Sequence, residues 1–596
     1  MEKQWKIKPR EDPAIVKSLA DLLNVSKDEN NPQDKKTYEI VARLLVQRGI
    51  TNFNEAKDFF RPNINNLHDP FLMCDMEKAV ERISVAVEAE ERILVYGDYD
   101  VDGTSAVALV YSYLKKFYNN VDFYIPDRYT EGYGVSGKSI KWAIDNNVKL
   151  IICLDCGIKA LEQIEEANKH NIDFIIADHH LPGDELPNAY AILDPKRSQC
   201  QYPYKELSGC GVGFKLIQAI QIKRGRAFHR ILKYLDLVAI SIAADIVPIT
   251  GENRVLVSEG LKIINNKPRI GIETLLKFSN IIHDEENESQ YYFNKEITLN
   301  DLVFSVGPRI NAAGRMESGR NAVELLICRD EEIADEHANL INAYNDERKE
   351  KDTIATIEAK EKLDNDPLNA SKKATVVFKN DWHKGIIGIV ASRLVEEYYR
   401  PTIVMTESNE LITGSARSTK DFDIYAAIDH CSDLLEHFGG HKFAAGLSLK
   451  KENLQAFQDK FEKYVAEHIT AAQTIPVIDV DMEISLKDIT PKLYRIIKQF
   501  APFGPDNPIP TFQSNRLIDT GGVKPVGKNH LKFSAIHMDI SSLPFSCIGF
   551  GLIEYYDTIK KNNLFDMCYH IDENLWNGKR SIQLIIQDIH FRKKEI

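Results

Sequence analysis

Residues 93–103, with the sequence ILVYGDYDVDG, place three acidic residues directly after an apolar run. The run that ends at Gly97 predicts a buried strand, and the residues after Gly103 predict a helix. Carboxylates this close repel one another, and a fold tolerates them where a cation or protons neutralise them. Open α/β sheets bind their ligands at the carboxyl ends of the strands, which is where these acids lie. The stretch therefore predicts an α/β sheet with a ligand site at this edge.

Three further acids each follow an apolar run along the chain. Asp155 ends the run LIICL, Asp178 ends the run FIIA, and Asp245 ends the run LVAISIAA. A lone acid at a strand end is usually a turn or helix-cap residue, but four acid-bearing strand ends in succession indicate one shared site. Oxygen ligands together with His179 and His180 suit Mg²⁺ or Mn²⁺ better than a thiol-rich zinc site would. Two such ions would clamp the attacking and leaving oxygens of a phosphoryl transfer.

The gross composition is typical of a soluble, multidomain protein. A length of 596 residues predicts about three or four domains, and an apolar share of 43% is ordinary. The first 30 residues are charged and show no secretory signal, and no apolar run reaches the ~18 residues that a membrane helix needs. Nine scattered cysteines, an odd number, indicate reduced thiols and predict a cytoplasmic location.

The net charge argues against a nucleic-acid partner unless charge is unevenly placed. Acidic residues outnumber Lys and Arg by 88 to 75, which gives a net charge of −13. Nucleic-acid-binding proteins more often carry a basic balance. The predicted metal cluster explains part of the acid excess, and the rest requires basic side chains gathered along one groove.

Composition along the chain predicts five segments. Residues 1–70 are polar with a helical pattern and predict an N-terminal extension. Short apolar strands alternating with helices over residues 71–318 predict a mostly parallel sheet covered by helices. Residues 319–370 predict a long connecting helix, for which a solvated surface helix is the alternative. Residues 371–468 predict a second α/β unit, and residues 469–596 predict a small β-barrel.

Two motif-like strings do not indicate cofactors. Residues 209–213 (GCGVG) lack a preceding strand and the full dinucleotide spacing, so close packing is the better interpretation. Cys153 and Cys156 form a CxxC pair, but Asp155 lies between them and no second pair follows. A GxxxxGK[ST] loop is absent from the sequence, so ATP use has no support.

An ordered set of motifs resembles one enzyme family. Residues 178–180 are the DHH signature, and residues 98–103 match the first motif of the same phosphoesterase superfamily. Residues 306–316 (VGPRINAAGRM) resemble the segment that closes the catalytic core of RecJ-type nucleases. Residues 438–446 (FGGHKFAAG) resemble the glycine-rich motif of their DHHA1 domain. The chain is identified on these motifs as a RecJ-type nuclease of the DHH superfamily.

The resemblance implies a fold and an activity. The fold is a DHH core, a connecting helix, a DHHA1 domain and a C-terminal OB-like barrel. The activity is that of a metal-dependent exonuclease that digests single-stranded DNA 5′→3′ to 5′-mononucleotides in recombinational and mismatch repair. Relatives work with single-strand-binding protein and a repair helicase, without a membrane, and a monomer is the family expectation. A phosphoesterase acting on short oligonucleotides or cyclic dinucleotides, and a catalytically dead scaffold, are the alternatives.

The resemblance also implies the roles of the acids and histidines. Asp98 and Asp102 compete for one place among the ligands, and many superfamily members carry a His where Tyr96 stands here. His180 would contact the scissile phosphate or orient a neighbouring ligand. The implied ligands of Mn²⁺ or Mg²⁺ are Asp98, Asp100, Asp102, Asp155, His179 and Asp245.

Cationic residues must balance the charge that develops on the phosphate. Arg309 and Arg315 are the candidates because a guanidinium fork suits phosphate oxygens, and Asn311 assists them. Salt bridging between the core and the long helix is the alternative for both arginines. The predicted catalytic residues are His180, Asp98 and Arg309.

The second α/β unit is expected to guide the strand. Residues 381–385 (DWHKG) and 414–418 (GSARS) match its family motifs, and paired glycines would let a sugar-phosphate backbone approach closely, a tight turn being the alternative. Trp382 or Phe443 would stack on a base. The predicted nucleic-acid-binding residues of this unit are Trp382, His383, Ser415, Arg417, Gly439, Gly440 and His441.

Overall fold

The computed structural model describes residues 3–24, 32–285, 290–538, 543–561, 563–576 and 579–592 of the chain. Two compact units divide it: one contains Met1–Asn63 and Ile475–Ile596, and the other is Ile64–Thr474. Within the described ranges, every helix is too short or too polar to cross a membrane. The two units are described separately below.

The helices are numbered in chain order. They are α1 (Pro13–Leu23), α2 (Pro32–Val46), α3 (Phe53–Phe60), α4 (Met76–Glu88), α5 (Val101–Leu114), α6 (Gly137–Asp145), α7 (Leu161–Lys169), α8 (Gly209–Lys223), α9 (Leu235–Ala244), α10 (Gly251–Asn266), α11 (Ile270–Lys277), α12 (Leu299–Asp301), α13 (Gly307–Met316), α14 (Arg320–Ile327), α15 (Glu331–Asp364), α16 (Ile387–Tyr398), α17 (Ile424–Asp429), α18 (Leu454–His468), α19 (Pro491–Lys498) and α20 (Tyr556–Lys560).

The strands are numbered in the same way. They are β1 (Gln4–Ile7), β2 (Arg92–Gly97), β3 (Val121–Tyr124), β4 (Val148–Leu154), β5 (Asp173–Ala177), β6 (Ala191–Leu193), β7 (Thr375–Phe378), β8 (Thr402–Ser408), β9 (Leu411–Arg417), β10 (His437–His441), β11 (Ala444–Leu449), β12 (Val477–Val480), β13 (Met482–Glu483), β14 (Phe512–Asp519), β15 (Lys524–Val526), β16 (His530–His537), β17 (Phe545–Gly549), β18 (Phe565–Trp576) and β19 (Lys579–Phe591).

A five-stranded, all-parallel sheet forms the first half of the Ile64–Thr474 unit. Its strand order is β3-β2-β4-β5-β6. The central strands are Val- and Ile-rich and buried on both faces, as expected where helices cover a parallel sheet. The predicted parallel core is therefore confirmed, and the carboxyl ends of β2, β4 and β5 lie at one edge.

The prediction of a strand before Asp245 is wrong. Residues 237–244 lie within α9, and Asp245 is the C-cap of that helix. All of α9 except its last residue is buried, so its sequence carries no polar stripe with helical spacing. A short, wholly apolar run fits a buried helix as well as a buried strand, and periodicity alone does not separate them.

The predicted long helix is α15, which has 34 residues. It packs against α11, α13, α14 and then α16, so it spans from the parallel-sheet half to the second sheet of the same unit. That second sheet has the order β10-β11-β9-β8-β7, with β7 and β8 parallel and the other pairs antiparallel. Ala355, Ala359 and Leu363 of α15 pack in one cluster with Val390 and Leu394 of α16.

The other unit is built from both ends of the chain. Its main sheet has the order β13-β14-β18-β19-β17-β16-β15, and an additional pairing of β14 with β16 curls it into the predicted small barrel. A register shift in β14 between Ser514 and Leu517 lets this strand pair with two partners. Helices α1–α3 pack into the same apolar core as the barrel strands, and β1 pairs in parallel with β12.

Candidate metal centre and nucleic-acid interface

The carboxyl edge of the parallel sheet gathers the predicted acids. Asp98 follows β2, and Asp100 caps the N-terminus of α5 by accepting a hydrogen bond from the Gly103 N–H. Asp155 follows β4 with a positive φ of 58°, an uncommon conformation for a residue with a side chain. This backbone turn at the end of the strand puts its carboxylate among those of the neighbouring loops. The strand-to-loop turns thus gather the charges at a single edge.

His179 lies at the centre of the cluster. Its Nε2 is 3.2 Å from Oδ1 of Asp155, 3.4 Å from Oδ2 of Asp245 and 3.7 Å from Oδ2 of Asp102. Both ring nitrogens of His179, Oδ1 of Asp155 and Oδ2 of Asp98 are buried, and no described residue hydrogen-bonds to them. Buried polar atoms without partners are costly, so this cluster of ligand atoms fits a metal ion.

The electrostatics point the same way. Burial, and then the neighbouring carboxylates, raise the pKa of Asp98, Asp100 and Asp155. The same causes raise the pKa of Asp245 to about 8. Without a cation, four carboxyl groups at one edge resist ionisation at neutral pH. A divalent ion removes that conflict because it stabilises the charged forms together.

Three hydrogen-bond donors hold the Asp102 carboxylate in place. Its carboxylate accepts hydrogen bonds from the backbone N–H groups of Gly209 and Cys210 and from the Ser241 hydroxyl. The first two donors are the N-terminal turn of α8, whose dipole favours a negative charge there. Asp102, His179 and Asp245 offer ligand atoms within 4.8 Å of one another, and so do Asp155, His179 and His180. Asp98 and Asp100 line one cavity together with Asp102 and Asp245.

His180 is oriented by Asp178, whose other carboxylate oxygen accepts a hydrogen bond from the Ile158 N–H. Its Nδ1 lies 2.7 Å from Oδ1 of Asp178, and its Nε2 lies 3.2 Å from the Tyr133 hydroxyl. Burial acts to lower the pKa of His180, but Asp178 outweighs it and raises that pKa to about 9. Burial opposes ionisation of Asp178, yet His180 lowers its pKa to about 2. The pair places a half-exposed cationic imidazole beside the metal cluster.

A cavity of about 260 Å³ opens over the acids. The predicted residues Asn311 and Arg315 line it, together with Arg128 and Tyr133, which the sequence pattern did not indicate. Arg128 and Tyr133 lie in an irregular loop after β3 without a regular pattern around them. The sequence could have indicated them only by their position after a predicted strand, because the loop after a parallel strand begins at the carboxyl edge of the sheet.

Asp194 was also missed, although its signal was available. It follows the short strand β6 and repeats the pattern of an apolar run ended by an acid. Its side chain is fully buried, and its Oδ2 accepts no hydrogen bond from the described residues. Burial is the main cause that raises its pKa to about 7, and the negative charge of Asp178 acts in the same direction.

Arg309 is not among the residues that line the cavity, and its role as a phosphate clamp stays a prediction that its contacts do not support. The side chain is 6% exposed, and its guanidinium donates to Asn342 Oδ1, Ser279 Oγ and two backbone carbonyls. Those contacts tie α13 to α15 and to the end of α11. The alternative, a structural link between the core and the long helix, describes this arginine, although through neutral partners and not a salt bridge.

Arg315 instead belongs to a group of cations beside the cavity. Burial, and then Arg128, Arg348 and Arg417, lower its pKa to about 10. One of its guanidinium nitrogens donates to the backbone carbonyl of Gly385, and its own carbonyl accepts from the Tyr129 hydroxyl. Arg348 forms an ion pair with Asp352, whereas Arg128, Arg315 and Arg417 form none with the described residues. Positive charge is therefore concentrated beside the cavity.

The second sheet aligns several predicted contacts. Ser415 pairs with Gly446, which pairs with Gly439, and Arg417 pairs with Ala444, which pairs with His441. Two rows across β9, β11 and β10 therefore present these residues side by side. Gly440 has a φ of 146°, and a Cβ there would lie 2.4 Å from the Ala444 carbonyl oxygen. Glycine is thus required at this position by the close approach of the paired strands.

Trp382 is buried, and its stacking on a base stays a prediction that this placement does not support. It is 6% exposed, and its indole N–H donates to Glu358 of α15. Its ring packs with the cluster that joins α15 to α16. Phe443, the other predicted stacking residue, is 53% exposed. His383 lies beside Tyr129, with ring centres 5.8 Å apart.

Three family models match the chain. The N-terminal domain of the DHH family matches residues 92–242, the DHHA1 domain matches residues 371–467, and the RecJ OB domain matches residues 480–588. The single-stranded-DNA-specific exonuclease RecJ of Bacillus subtilis is 35% identical over 98% of this chain and 70% of that protein. The same enzyme of Dickeya dadantii is 32% identical over 92% of this chain and 96% of that protein.

Solved structures share the fold. A crystal structure of RecJ with Mn²⁺ from Thermus thermophilus aligns with a TM-score of 0.81 at 23% identity, covering 100% of this chain and 80% of that one. A crystal structure of exonuclease RecJ bound to manganese aligns with a TM-score of 0.56 at 28% identity, covering 67% of this chain and 98% of that one.

Proposed function

Because the chain belongs to the RecJ family of single-stranded-DNA-specific exonucleases, we propose that it hydrolyses single-stranded DNA from the 5′ end to 5′-mononucleotides. The observation that carries this function is the cluster around His179, where buried ligand atoms have no hydrogen-bond partner among the described residues. The cavity over this cluster is rimmed by Arg128 and Arg315, so a phosphodiester and the acids can share the space only if cations lie between them. The direction of digestion is taken from the family.

The cofactor is Mn²⁺ or Mg²⁺. Structures of Thermus thermophilus RecJ are described with each of these ions, and the carboxylates and imidazole of this chain are ligands that both accept. A bound divalent ion supplies hydroxide near neutral pH and offsets the charge of the phosphate. We propose two ions, held by Asp98, Asp100, Asp102, Asp155, His179 and Asp245.

The remaining residues orient and neutralise the substrate. His180 is kept cationic by Asp178 and can donate from Nε2 to a phosphate oxygen, with the Tyr133 hydroxyl beside it. Arg128 and Arg315 line the cavity and neutralise the phosphate, and Asn311 donates to it. The protein thereby contributes fixed charges and donors that need no rearrangement as the bond breaks.

The second sheet holds the strand that leads to the cavity. Arg417 and His441 in one row, and Ser415 and Gly439 in the next, offer donors and open backbone to successive phosphates. Phe443 is exposed at the same edge and stacks on a base. Gly440 serves by keeping the two strands close. His383 lies next to Tyr129 on the side of the parallel-sheet half and completes the path.

The biological setting is proposed from the family. The proposed partners are single-strand-binding protein and a repair helicase. The proposed processes are recombinational and mismatch repair. The enzyme is proposed to be a monomer in the cytoplasm. We propose functional boundaries at residues 1–70, 71–318, 319–370, 371–468 and 469–596. The three family models fall within the second, fourth and fifth of these segments. The barrel is proposed to help hold the strand.

End-labelled DNA tests this function directly. Single-stranded and duplex 40-mers, labelled at either end, are incubated with Mn²⁺ or with EDTA, and the products are separated by size. We expect mononucleotides from the 5′ end of the single strand, little product from the duplex and none in EDTA. Faster digestion of a 2-mer than of the 40-mer would assign the chain to the short-oligonucleotide phosphoesterases instead.

A further inference from the structure

A pocket with a strongly basic lining lies at the far ends of the helices that carry the metal centre. Its volume is about 560 Å³, and Tyr113, Phe117, Gln221 and Ile231 form its neutral walls. The rest of its lining is cationic or imidazole, and we call the whole the basic pocket. These side chains are Lys116, Arg224, Arg226, His229, Arg230 and Lys233.

The basic pocket is remote from the metal centre. Helix α5 begins at Asp100 and ends beside Lys116, and α8 begins at the Asp102 contact and ends at Arg224. Helix α9 runs the opposite way, from just after Lys233 to Asp245. With 14 residues, α5 is about 21 Å long, which separates the two sites by roughly that distance.

The cations of the basic pocket have no acidic partners. No Asp or Glu lines the pocket, and its lysines and arginines form no ion pair with any residue that the structure describes. Adjacent basic residues behave differently: Lys223 pairs with Glu77, and Arg269 pairs with Asp236. The chain has a net charge of −13, yet five unpaired cations line this one pocket. Their combined positive potential favours the binding of an anion.

The fold holds these cations close together. Arg224 lies 3.6 Å from the ring centre of Phe117, and the ammonium groups of Lys116 and Lys233 both lie over Tyr234, at 4.6 and 5.5 Å. Partial burial, and then the facing Lys233, lower the pKa of Lys116 to about 8. Like charges held face to face are unfavourable unless an opposite charge joins them.

Helix capping explains only part of the arrangement. Helix dipoles favour cations at the C-termini of α5 and α8, and this explains the positions of Lys116 and Arg224. Lys233 lies just before the N-terminus of α9, where the helix dipole disfavours a cation. Arg226 and Arg230 are exposed in the connecting segment, where no dipole needs them.

We propose that the basic pocket is a second phosphate-binding site, which takes the phosphates of a nucleic-acid backbone or of a free nucleotide. Guanidinium forks from three arginines match phosphate oxygens, and the volume accommodates more than one phosphate group. The choice of a nucleic-acid backbone as one source rests on the proposed function, while the affinity for phosphate does not.

The test compares two charge-reversed variants of the full-length protein in EDTA, where no cutting occurs. Arg226→Glu/Arg230→Glu changes exposed side chains of the pocket. Lys267→Glu/Lys463→Glu changes the net charge equally at exposed lysines elsewhere in the same unit. The probes are a fluorescein-labelled single-stranded 40-mer, a fluorescent nucleoside diphosphate and a labelled poly-glutamate peptide, each read by anisotropy. Melting curves check that both variants are folded.

Loss of roughly tenfold in affinity for the 40-mer in the pocket variant alone supports a backbone site. Two lost phosphate contacts also reduce the salt slope of log K by about 1.4. Loss of nucleoside diphosphate binding alone supports a free-nucleotide site. Equal affinities of the two variants for both phosphate probes would overturn the proposal, and so would a loss confined to poly-glutamate. Digestion by the unaltered protein in Mn²⁺, measured separately, reports on the proposed function and not on the pocket.

Discussion

At the residue scale, Asp155 shows how the backbone prepares the site for a cation. Its positive φ and the close approach of Gly209 hold its carboxylate in one position, 3.2 Å from Nε2 of His179. The oxygen that faces His179 accepts no hydrogen bond from the described part of the chain. Burial is the main cause that raises the pKa of Asp155, and the neighbouring carboxylates raise it further. A bound cation would therefore stabilise its charged form. Local strain of this kind is retained where the site requires it.

We expect Asp155→Asn to lower Mn²⁺-dependent digestion at least about 100-fold, because an amide offers a metal one neutral oxygen in place of a carboxylate. Initial rates on a single-stranded 40-mer and Mn²⁺ titration calorimetry measure the loss. Asp145→Asn is the matched control, since Asp145 lies on the surface in an ion pair with Lys141. Undiminished digestion by Asp155→Asn would rule out the proposed metal centre.

Substitution of Arg309 is expected to affect stability, whereas substitution of Arg315 is expected to affect substrate binding. Arg309→Ala removes four hydrogen bonds and should lower the free energy of unfolding by about 3 kcal/mol with KM unchanged. Arg315→Ala removes a cation beside the cavity and should raise KM roughly tenfold. Urea unfolding and steady-state kinetics on both variants measure these quantities. A raised KM for Arg309→Ala with normal stability would restore its role as a phosphate clamp.

At the element scale, the N-terminus of α8 is packed directly onto the end of β4. Two of its N–H groups bind Asp102, and a Cβ on Gly209 would lie 2.6 Å from the Asp155 side chain. The glycine-rich start of α8 is therefore a close approach between a helix and the acids, and not a cofactor loop. The N-terminus of α8 stabilises the negative charge of Asp102, and the absence of a side chain at Gly209 leaves space for Asp155.

Two glycines of α8 test this packing. Gly209→Ala should displace Asp155 and lower both Mn²⁺ affinity and the rate of digestion about tenfold or more. Gly213→Ala on the same helix meets Val110 and Leu154 at 3.4 and 3.5 Å, which are ordinary contacts, so it should change neither. Calorimetric Mn²⁺ titration and initial rates compare the two. Equal effects of both substitutions would mean that helix packing alone is responsible.

At the scale of the whole molecule, the metal centre belongs to one of the two compact units. All the acids of the cluster lie in Ile64–Thr474, while both ends of the chain form the other unit. The negative net charge is unevenly placed within the first of these units. Acids gather at the metal centre, and cations gather around Arg315 and in the basic pocket. The overall charge therefore does not exclude a nucleic-acid substrate.

Metal should stabilise the unit that contains the cluster. Differential scanning calorimetry in EDTA and in Mn²⁺ is expected to show two transitions, of which one moves to higher temperature with the metal. At about 100 times its dissociation constant, an ion that binds only the folded unit contributes about 2.7 kcal/mol. The transition of the barrel unit serves as the internal control. Equal shifts of both transitions would place metal binding elsewhere.

Much of the site followed from the sequence alone, for a physical reason. Apolar runs that end in Asp98, Asp155 and Asp178 predict parallel strands, and parallel strands bring their carboxyl ends to one edge whatever the loops do. The ligand chemistry then follows from residue type. Only the tertiary structure decided that residues 237–244 are helical and that Arg309 and Trp382 are occupied by other partners. Only it showed that the cations of the basic pocket converge. A side chain's partners depend on contacts between distant segments, which local sequence pattern does not encode.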